Sequence, residues 1–278
     1  MKPPPFAYHA PTTVEEALNL LAGGNGTYAL AGGQSLVQLM KFRQVKPSAL
    51  VDLNGVAGLD VLEERDDELH VGALVRQQRL LENEVVGASW PLLREAARFV
   101  GYKETRRRGT IGGSLAFAAP WAELTAAAVA LDAAIDVRSV NAERTIPARS
   151  FFGGPNATVL EPGELIVRVR FPAPRSRSGA AFHEVSARYR DYCQVAAAAV
   201  VSLDGTADLV LLRVAQTPFH IDASSALEDE GALEGLLAGI EPEDDIEVSA
   251  AHRRRVAPVL ARRALRDAAA NAREREHE

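Results

Sequence analysis

Two stretches of this sequence could hold an anion. One reads Ala31-Gly32-Gly33-Gln34-Ser35-Leu36 and the other Thr110-Ile111-Gly112-Gly113-Ser114-Leu115, so in each a Gly-Gly pair leads into serine and leucine, through Gln34 in the first and directly in the second. Glycine reaches positive φ and has no Cβ, so successive backbone N–H groups can turn into one concavity and meet phosphate oxygens. Ser35 and Ser114 place hydroxyl donors beside each pair. Two such nests closing on one ligand would suit a diphosphate, although each alone also reads as an ordinary turn. No GxxxxGK[ST] phosphate loop occurs. Gly24 to Ala29, GNGTYA, fits the loose dinucleotide fingerprint, but its helix precedes and its strand follows, the reverse of the required order. These glycines read as a helix stop and a turn.

The elements that must position the two stretches are legible from capping and periodicity. Thr13-Val-Glu-Glu16 is a capping box opening a helix to about Ala22. TYAL (27–30) and ALVDL (49–53) read as strands, with a helical turn or two from Ser35 between them, a small α/β unit. A strand at 69–75 and helices at 90–100 and 121–133 follow, then strands IDVRSV and ELIVRVRFP. Residues 172–178, PAPRSRS, read as a linker. Beyond it lie three strands (AAFHEVSARY, QVAAAAVVSL, ADLVLLRVA) and two helices, near SSALEDEGALEGLLAGI and SAAHRRRVAPVLARRALRDAAANA, with a frayed REREHE tail.

Composition narrows the classes. The chain has 278 residues, 47% hydrophobic and 24% charged, with a formal net charge of −6. That balance suits an ordinary soluble protein and opposes general nucleic-acid affinity. No run is long enough to span a membrane and no secretory signal opens the chain, so a cytoplasmic location is expected. Cys193 stands alone and supplies neither a disulfide nor a cluster; it reads as a small buried filler. His9, His70, His183, His220, His252 and His277 are scattered, and none is assigned to a metal.

Taken together, AGGQSL at 31–36, LVDL at 50–53, GTIGGSL at 109–115, Glu123-Leu124, FFGG at 151–154 and the closing SAAHRRRVAPVLARRAL resemble the FAD-binding medium subunit of molybdenum hydroxylases, of the aerobic carbon monoxide dehydrogenase and xanthine dehydrogenase type. The resemblance implies an α+β fold: a two-part FAD-binding domain of the PCMH (vanillyl-alcohol oxidase-like) type over residues 1–175, its lobes about 1–55 and 56–175. A smaller α+β domain, a three-stranded sheet plus helices, then covers 176–278. It also implies that Ala31 to Leu36 and Thr110 to Ser114 hold the FAD diphosphate, that Glu123 contacts the cofactor's sugar, that Ile166 lies at the flavin, and that Tyr192 lies against the isoalloxazine ring. No side chain is assigned to acid–base catalysis.

The implied partners are a molybdopterin-binding large subunit and a [2Fe–2S] small subunit, in a dimer of heterotrimers, with electrons leaving FAD for an external acceptor. A free-standing FAD oxidoreductase and a flavin-free scaffold subunit remain alternatives. Two departures stand out. Where relatives usually read SLAHADP this chain reads SLAFAAP, placing Phe117 and Ala119 at the histidine and aspartate, and Arg107 replaces an asparagine in RNRG. Arg106 to Arg108 then reads as added positive charge near the diphosphate, as a solvated basic stretch or as a subunit contact.

Overall fold

In the computed structural model, residues 2–229 and 231–276 are described; His277 and the end of the REREHE tail lie outside them. Three sheets organise the chain. The first is parallel, with β3 (Ala49–Asp52) between β1 (Ala7–His9) and β2 (Thr27–Leu30). Helix α1 (Val14–Ala22) packs on it, opened by the Thr13/Glu16 capping box in both directions. Helix α2 (Leu36–Lys41) leaves the β2 end. Apolar residues from α1, β3 and the following turn make a small core of Ala17, Leu18, Val51, Leu53, Val56 and Leu59.

The second sheet is antiparallel, in the order β4 (Leu62–Arg65), β5 (Glu68–Gly72), β10 (Leu165–Phe171), β6 (Ala134–Arg138), β7 (Glu143–Pro147). A short ribbon, β8 (Phe152–Gly154) and β9 (Ala157–Thr158), lies between β7 and β10 in the chain. Helices α3 (Gln77–Glu82), α4 (Glu84–Ser89), α5 (Pro91–Phe99), α6 (Lys103–Arg108), α7 (Ile111–Phe117) and α8 (Glu123–Ala130) occupy the stretch between β5 and β6. Alternation along the strands sorts the faces: Leu69, Val71, Ile135, Val137 and Val169 enter the main core, with Leu92, Leu93, Ile111, Leu115 and Leu124 from the helices.

The third sheet is an antiparallel meander of β11 (Ser178–Ser186), β12 (Cys193–Ser202), β13 (Ala207–Leu212) and β14 (Phe219–Asp222). It has one strand more than expected, because FHID lacks the apolar run that marks the other three. Its middle is covered on both faces. Ala196, Ala198 and Val210 join the main core, while Val195, Ala197, Ala199, Leu209 and Leu211 pack beneath the last helix, α10 (Ala250–Glu276). A strand buried on both faces is written as a continuous apolar run, which explains the alanine-rich stretch.

The helix expected near residues 224–240 is instead broken into a 3-10 turn (Ser224–Leu227), α9 (Ala232–Leu236) and a second turn (Leu237–Gly239). Gly231, Gly235 and Gly239 make a continuous helix costly there. Among the described residues, no helix is long and apolar enough to cross a membrane.

Small residues on facing surfaces set the approach of α10 to the third sheet. Ala257, Ala261, Ala264, Ala268 and Ala272 are all fully buried. A Cβ placed on Gly179 would lie 2.2 Å from the Ala272 nitrogen and 2.3 Å from the Ala268 oxygen. Gly179→Ala is therefore expected to force α10 outward at a cost of about 1–3 kcal/mol, the usual penalty of overpacking. Thermal unfolding followed by circular dichroism should show a clear drop in Tm. Gly235→Ala, with nothing within 4 Å of the added carbon, should show none. Equal Tm values for the two variants would contradict this packing.

Candidate functional site

The two Gly-Gly stretches meet. Gly32 is buried with its Cα against the second stretch's entry: a Cβ there would lie 2.2 Å from the Arg108 carbonyl oxygen and 2.9 Å from the Gly109 Cα. Gly113 in turn faces the Thr110 hydroxyl and the Ala31 methyl. A polar strap holds the contact. The Arg76 guanidinium donates to the Arg108 carbonyl and to the Asn54 side-chain oxygen. The Asn54 amide donates to the Ala31 carbonyl at 3.0 Å. Asp52 receives the Asn54 backbone N–H at 2.9 Å and the Tyr8 hydroxyl. Burial opposes the charge on Asp52, but the bonds from Tyr8 and Asn54 more than offset it and hold its carboxyl below the usual range.

The stretches differ in backbone chemistry. In the first, Gly33 has φ +74, the left-handed conformation that glycine adopts without strain. Among the described residues no acceptor takes the backbone N–H of Gly32, Gly33, Gln34, Ser35 or Leu36; the ladder of α2 begins with the Val37 N–H on the Gly33 carbonyl at 3.1 Å. That leaves five successive backbone donors without acceptors at the place of the expected anion nest.

The second stretch is no such nest. Gly112 and Gly113 lie inside α7, which Thr110 caps by accepting the Gly113 N–H at 3.0 Å. The Ile111 N–H goes to the Val75 carbonyl at 3.1 Å and the Gly112 N–H to the Ala73 carbonyl at 2.9 Å. Gly112 is needed for close packing, since its Cβ would fall 2.6 Å from that of Ala73. What remains free here is the Ser114 hydroxyl, half-buried and without a partner among the described residues, beside a backbone wall next to the first loop.

Glu123 opens α8 and is 7% exposed, and its carboxylate meets its own backbone N–H but no other residue's donor among those described. Burial pushes its carboxyl up to about 7. Just before it, the Trp121 ring stacks on Tyr192 with centroids 4.7 Å apart, and Tyr192 keeps 54% of its surface exposed. The aromatic pair and Glu123 thus form one rim at the start of α8. Ile166, 3% exposed, is a core residue of β10, beside an irregularity in the β10–β6 register between Ile166 and Arg168. Its side chain therefore packs inward, and only its backbone can face a ligand.

The remaining sequence features resolve simply. Arg106 is 5% exposed and structural, donating to the Val100 and Gly101 carbonyls and to Gln78, whereas Arg107 and Arg108 are exposed. Phe117 ends α7 ahead of Ala118, whose φ is +47; Asn156 fixes that corner through the Phe117 and Ala118 carbonyls. Cys193 is fully buried, and burial with the charges of Glu123 and Glu184 pushes its thiol well up, so it is inert. Gly26, at φ +87, makes the turn into β2, and the helix-before-strand order excludes a dinucleotide site there.

A cavity of about 630 Å³ lies on the other face of the second sheet, lined by His70, Asp136, Arg138, Arg168 and Arg170 among others, and by none of the expected residues. Several of its charges are paired: Asp136 accepts from Arg168, Arg170 and Thr145, and Arg138 pairs with Glu15 and Glu143.

Asn54, Arg76 and Trp121 were not legible as site residues. Asn54 carried a weak signal, standing two residues after Asp52 as in an Asx turn, but Arg76 meets both its partners only through the fold.

The chain is similar to proteins of known role over nearly its whole length. Residues 4–174 match the family model described as the FAD binding domain in molybdopterin dehydrogenase. The 6-hydroxypseudooxynicotine dehydrogenase complex subunit alpha of Paenarthrobacter nicotinovorans is 38% identical, over 98% of this chain and 97% of that protein. The structure of carbon monoxide dehydrogenase from Hydrogenophaga pseudoflava superposes with a TM-score of 0.93 at 33% identity, covering 98% of this chain and 99% of that one. Quinoline 2-oxidoreductase from Pseudomonas putida 86 gives 0.91 at 34% identity, over 98% and 99%. With a nest of free donors on one strand end, a helix start wedged against it and this match across 171 residues (4–174), the chain belongs to the family of FAD-binding domains of molybdopterin dehydrogenases.

Proposed function

We propose that this chain holds FAD as the electron-transfer subunit of a molybdenum hydroxylase, with its diphosphate on the N–H groups of Gly32 to Leu36. The observation that carries the assignment of residues is that row of unpaired donors, turned by Gly33 and closed by the second stretch at Gly32. The residues present fit the cofactor: an acceptor-rich diphosphate supplies the partners the five amides lack, and Ser35 and Ser114 add hydroxyls. Thr110 to Gly113 serve as the wall that fixes the pocket's depth. Glu123 accepts a sugar hydroxyl, Ile166 presents its backbone, and Tyr192 lies against the ring.

FAD supplies the two-electron to one-electron chemistry. The chain's own work is to bind it, orient it and set the electrostatics around it. Electrons arrive from iron–sulfur clusters of a small partner subunit, which takes them from a molybdopterin-bearing large subunit, and leave for an external acceptor. The complex is a dimer of such heterotrimers, and it works in the cytoplasm. The buried lone thiol of Cys193 supports placing the clusters on another chain.

Gly33→Val places a β-branched residue at φ +74, where the added Cβ would also meet Val37 at 3.2 Å. Strain of about 1–3 kcal/mol expressed in binding weakens FAD by roughly 5- to 150-fold. The FAD-to-protein ratio after gel filtration should fall accordingly, in protein that keeps its far-UV spectrum. Full occupancy would show that this loop does not hold the diphosphate.

Glu123 gives a pH test. Its native pKa of about 7 lies above the ordinary 4.5, so the native state binds the proton more tightly than the unfolded chain. Stability is then greatest below about 4.5 and falls as pH rises toward 7, by up to about 3 kcal/mol. In flavin-free protein, Glu123→Gln should lack this fall and gain on the parent as pH rises from about 5 to 8. Added FAD should shrink the difference, because a sugar hydroxyl favours the ionised carboxylate. Parallel Tm–pH curves for parent and variant without FAD would contradict the burial, and an FAD-independent difference would contradict the sugar contact.

A further inference from the structure

Trp121, just before α8, meets a guanidinium from the third sheet's β13–β14 connection. Arg213 follows β13, is 8% exposed along its side chain and has φ +62, a left-handed conformation that a long side chain rarely adopts. Its guanidinium does three things. It donates to the Cys193 carbonyl at 3.0 Å, it pairs with the Asp245 carboxylate, and it lies 5.7 Å from the Trp121 ring centroid. Trp121 is the residue that stacks on Tyr192, and Cys193 is Tyr192's neighbour in the chain.

Asp245 is held as firmly as Arg213. Arg253 of α10, 4% exposed along its side chain, pairs with the same carboxylate and donates to the Gln194 carbonyl at 3.3 Å. The Glu247 and Val248 N–H groups each donate to Asp245 at 2.8 Å. Burial opposes the charge on Asp245; the bonds from Arg253 and these amides and the charge of Arg213 more than offset it. Two buried guanidinium groups thus share one carboxylate, and each also clamps a carbonyl of the segment that carries Tyr192.

We propose that Arg213, fixed by Asp245 and Arg253, is a positioning residue that sets the Trp121–Tyr192 stack and through it the environment of the flavin ring. The second half rests on the placement of Tyr192 given under Proposed function. A planar guanidinium is required, because only it can lie on an indole while donating in its plane to both Cys193 and Asp245. A lysine keeps the charge and the pairing with Asp245 but not all three contacts at once.

The experiment compares Arg213→Lys with Tyr192→Ala, Tyr192→Phe and the parent. Two readings are taken: Trp121 emission in flavin-free protein, assigned by difference against Trp121→Phe, and FAD content with its reduction potential in flavin-loaded protein. The expected result is that Arg213→Lys shifts Trp121 emission to the red, keeps its FAD, and moves the potential in the same direction as Tyr192→Ala, while Tyr192→Phe, which preserves the stack, stays near the parent. Unchanged Trp121 emission in Arg213→Lys would overturn the clamp. Loss of FAD as in Gly33→Val would overturn it too, since Arg213 would then support the diphosphate loop. If Tyr192→Ala moves the potential and Arg213→Lys does not, the coupling to the flavin is overturned while the placement of Tyr192 stands. If neither moves it, the placement of Tyr192 itself fails.

Discussion

The site depends on one close contact, the backbone of Gly32 against the carbonyl of Arg108. At 2.2 Å from a notional Cβ there is no room for any side chain, so the first loop can reach the entry of α7 only as glycine. That approach puts β2's carboxyl end, from the small parallel sheet, against a helix that belongs to the larger antiparallel one. The strap of Arg76, Asn54 and Asp52 then satisfies the carbonyls that the contact leaves behind, those of Arg108 and Ala31. The Ala31 and Gly33 carbonyls are thus engaged within the chain, while the N–H groups of Gly32 to Leu36 have no acceptor among the described residues. That set of free donors is what the proposed diphosphate would fill.

Charge is arranged around the site in layers. At the loop it is carried by backbone dipoles, which cannot be titrated. At the start of α8 it is carried by side chains in a dry setting: Glu123 at about 7 and Glu184 pushed up to about 8, by its own burial and then by Glu123's charge. The Glu184 Oε2 has no partner among the described residues. Opposite them stand the buried guanidinium groups of Arg213 and Arg253, neutralised in part by Asp245. Acidic and basic groups therefore meet across the seam where Cys193 and Tyr192 run, while on the exposed face of the second sheet Asp136 and the arginines around it pair mainly with one another.

Much of this was legible in the residues. The β2–loop–α2 unit, the capping box at Thr13 and the buried strands at 193–202 and 207–212 follow from glycine, capping and apolar runs. The second Gly-Gly stretch was misread as a positive-φ loop because two adjacent glycines disfavour helix. The Thr110 cap and the need to pass Ala73 override that propensity, and glycine serves there for its size. Arg76, Asn54 and Arg213 carried no decisive local signal, since each acts through partners distant in the chain. The inward side chain of Ile166 depends on a strand irregularity that no alternation pattern displays.

Amide hydrogen exchange resolved to single residues tests the central claim most directly. In flavin-free protein the N–H groups of Gly32 to Leu36, lacking acceptors, should exchange fast while those of Ile111 to Ser114, already bonded, exchange slowly. Saturating FAD should slow the first group sharply, and riboflavin, which has the ring but no phosphate, should not. Unchanged exchange at Gly32 to Leu36 with FAD bound, or equal slowing by riboflavin, would contradict a diphosphate held on these amides.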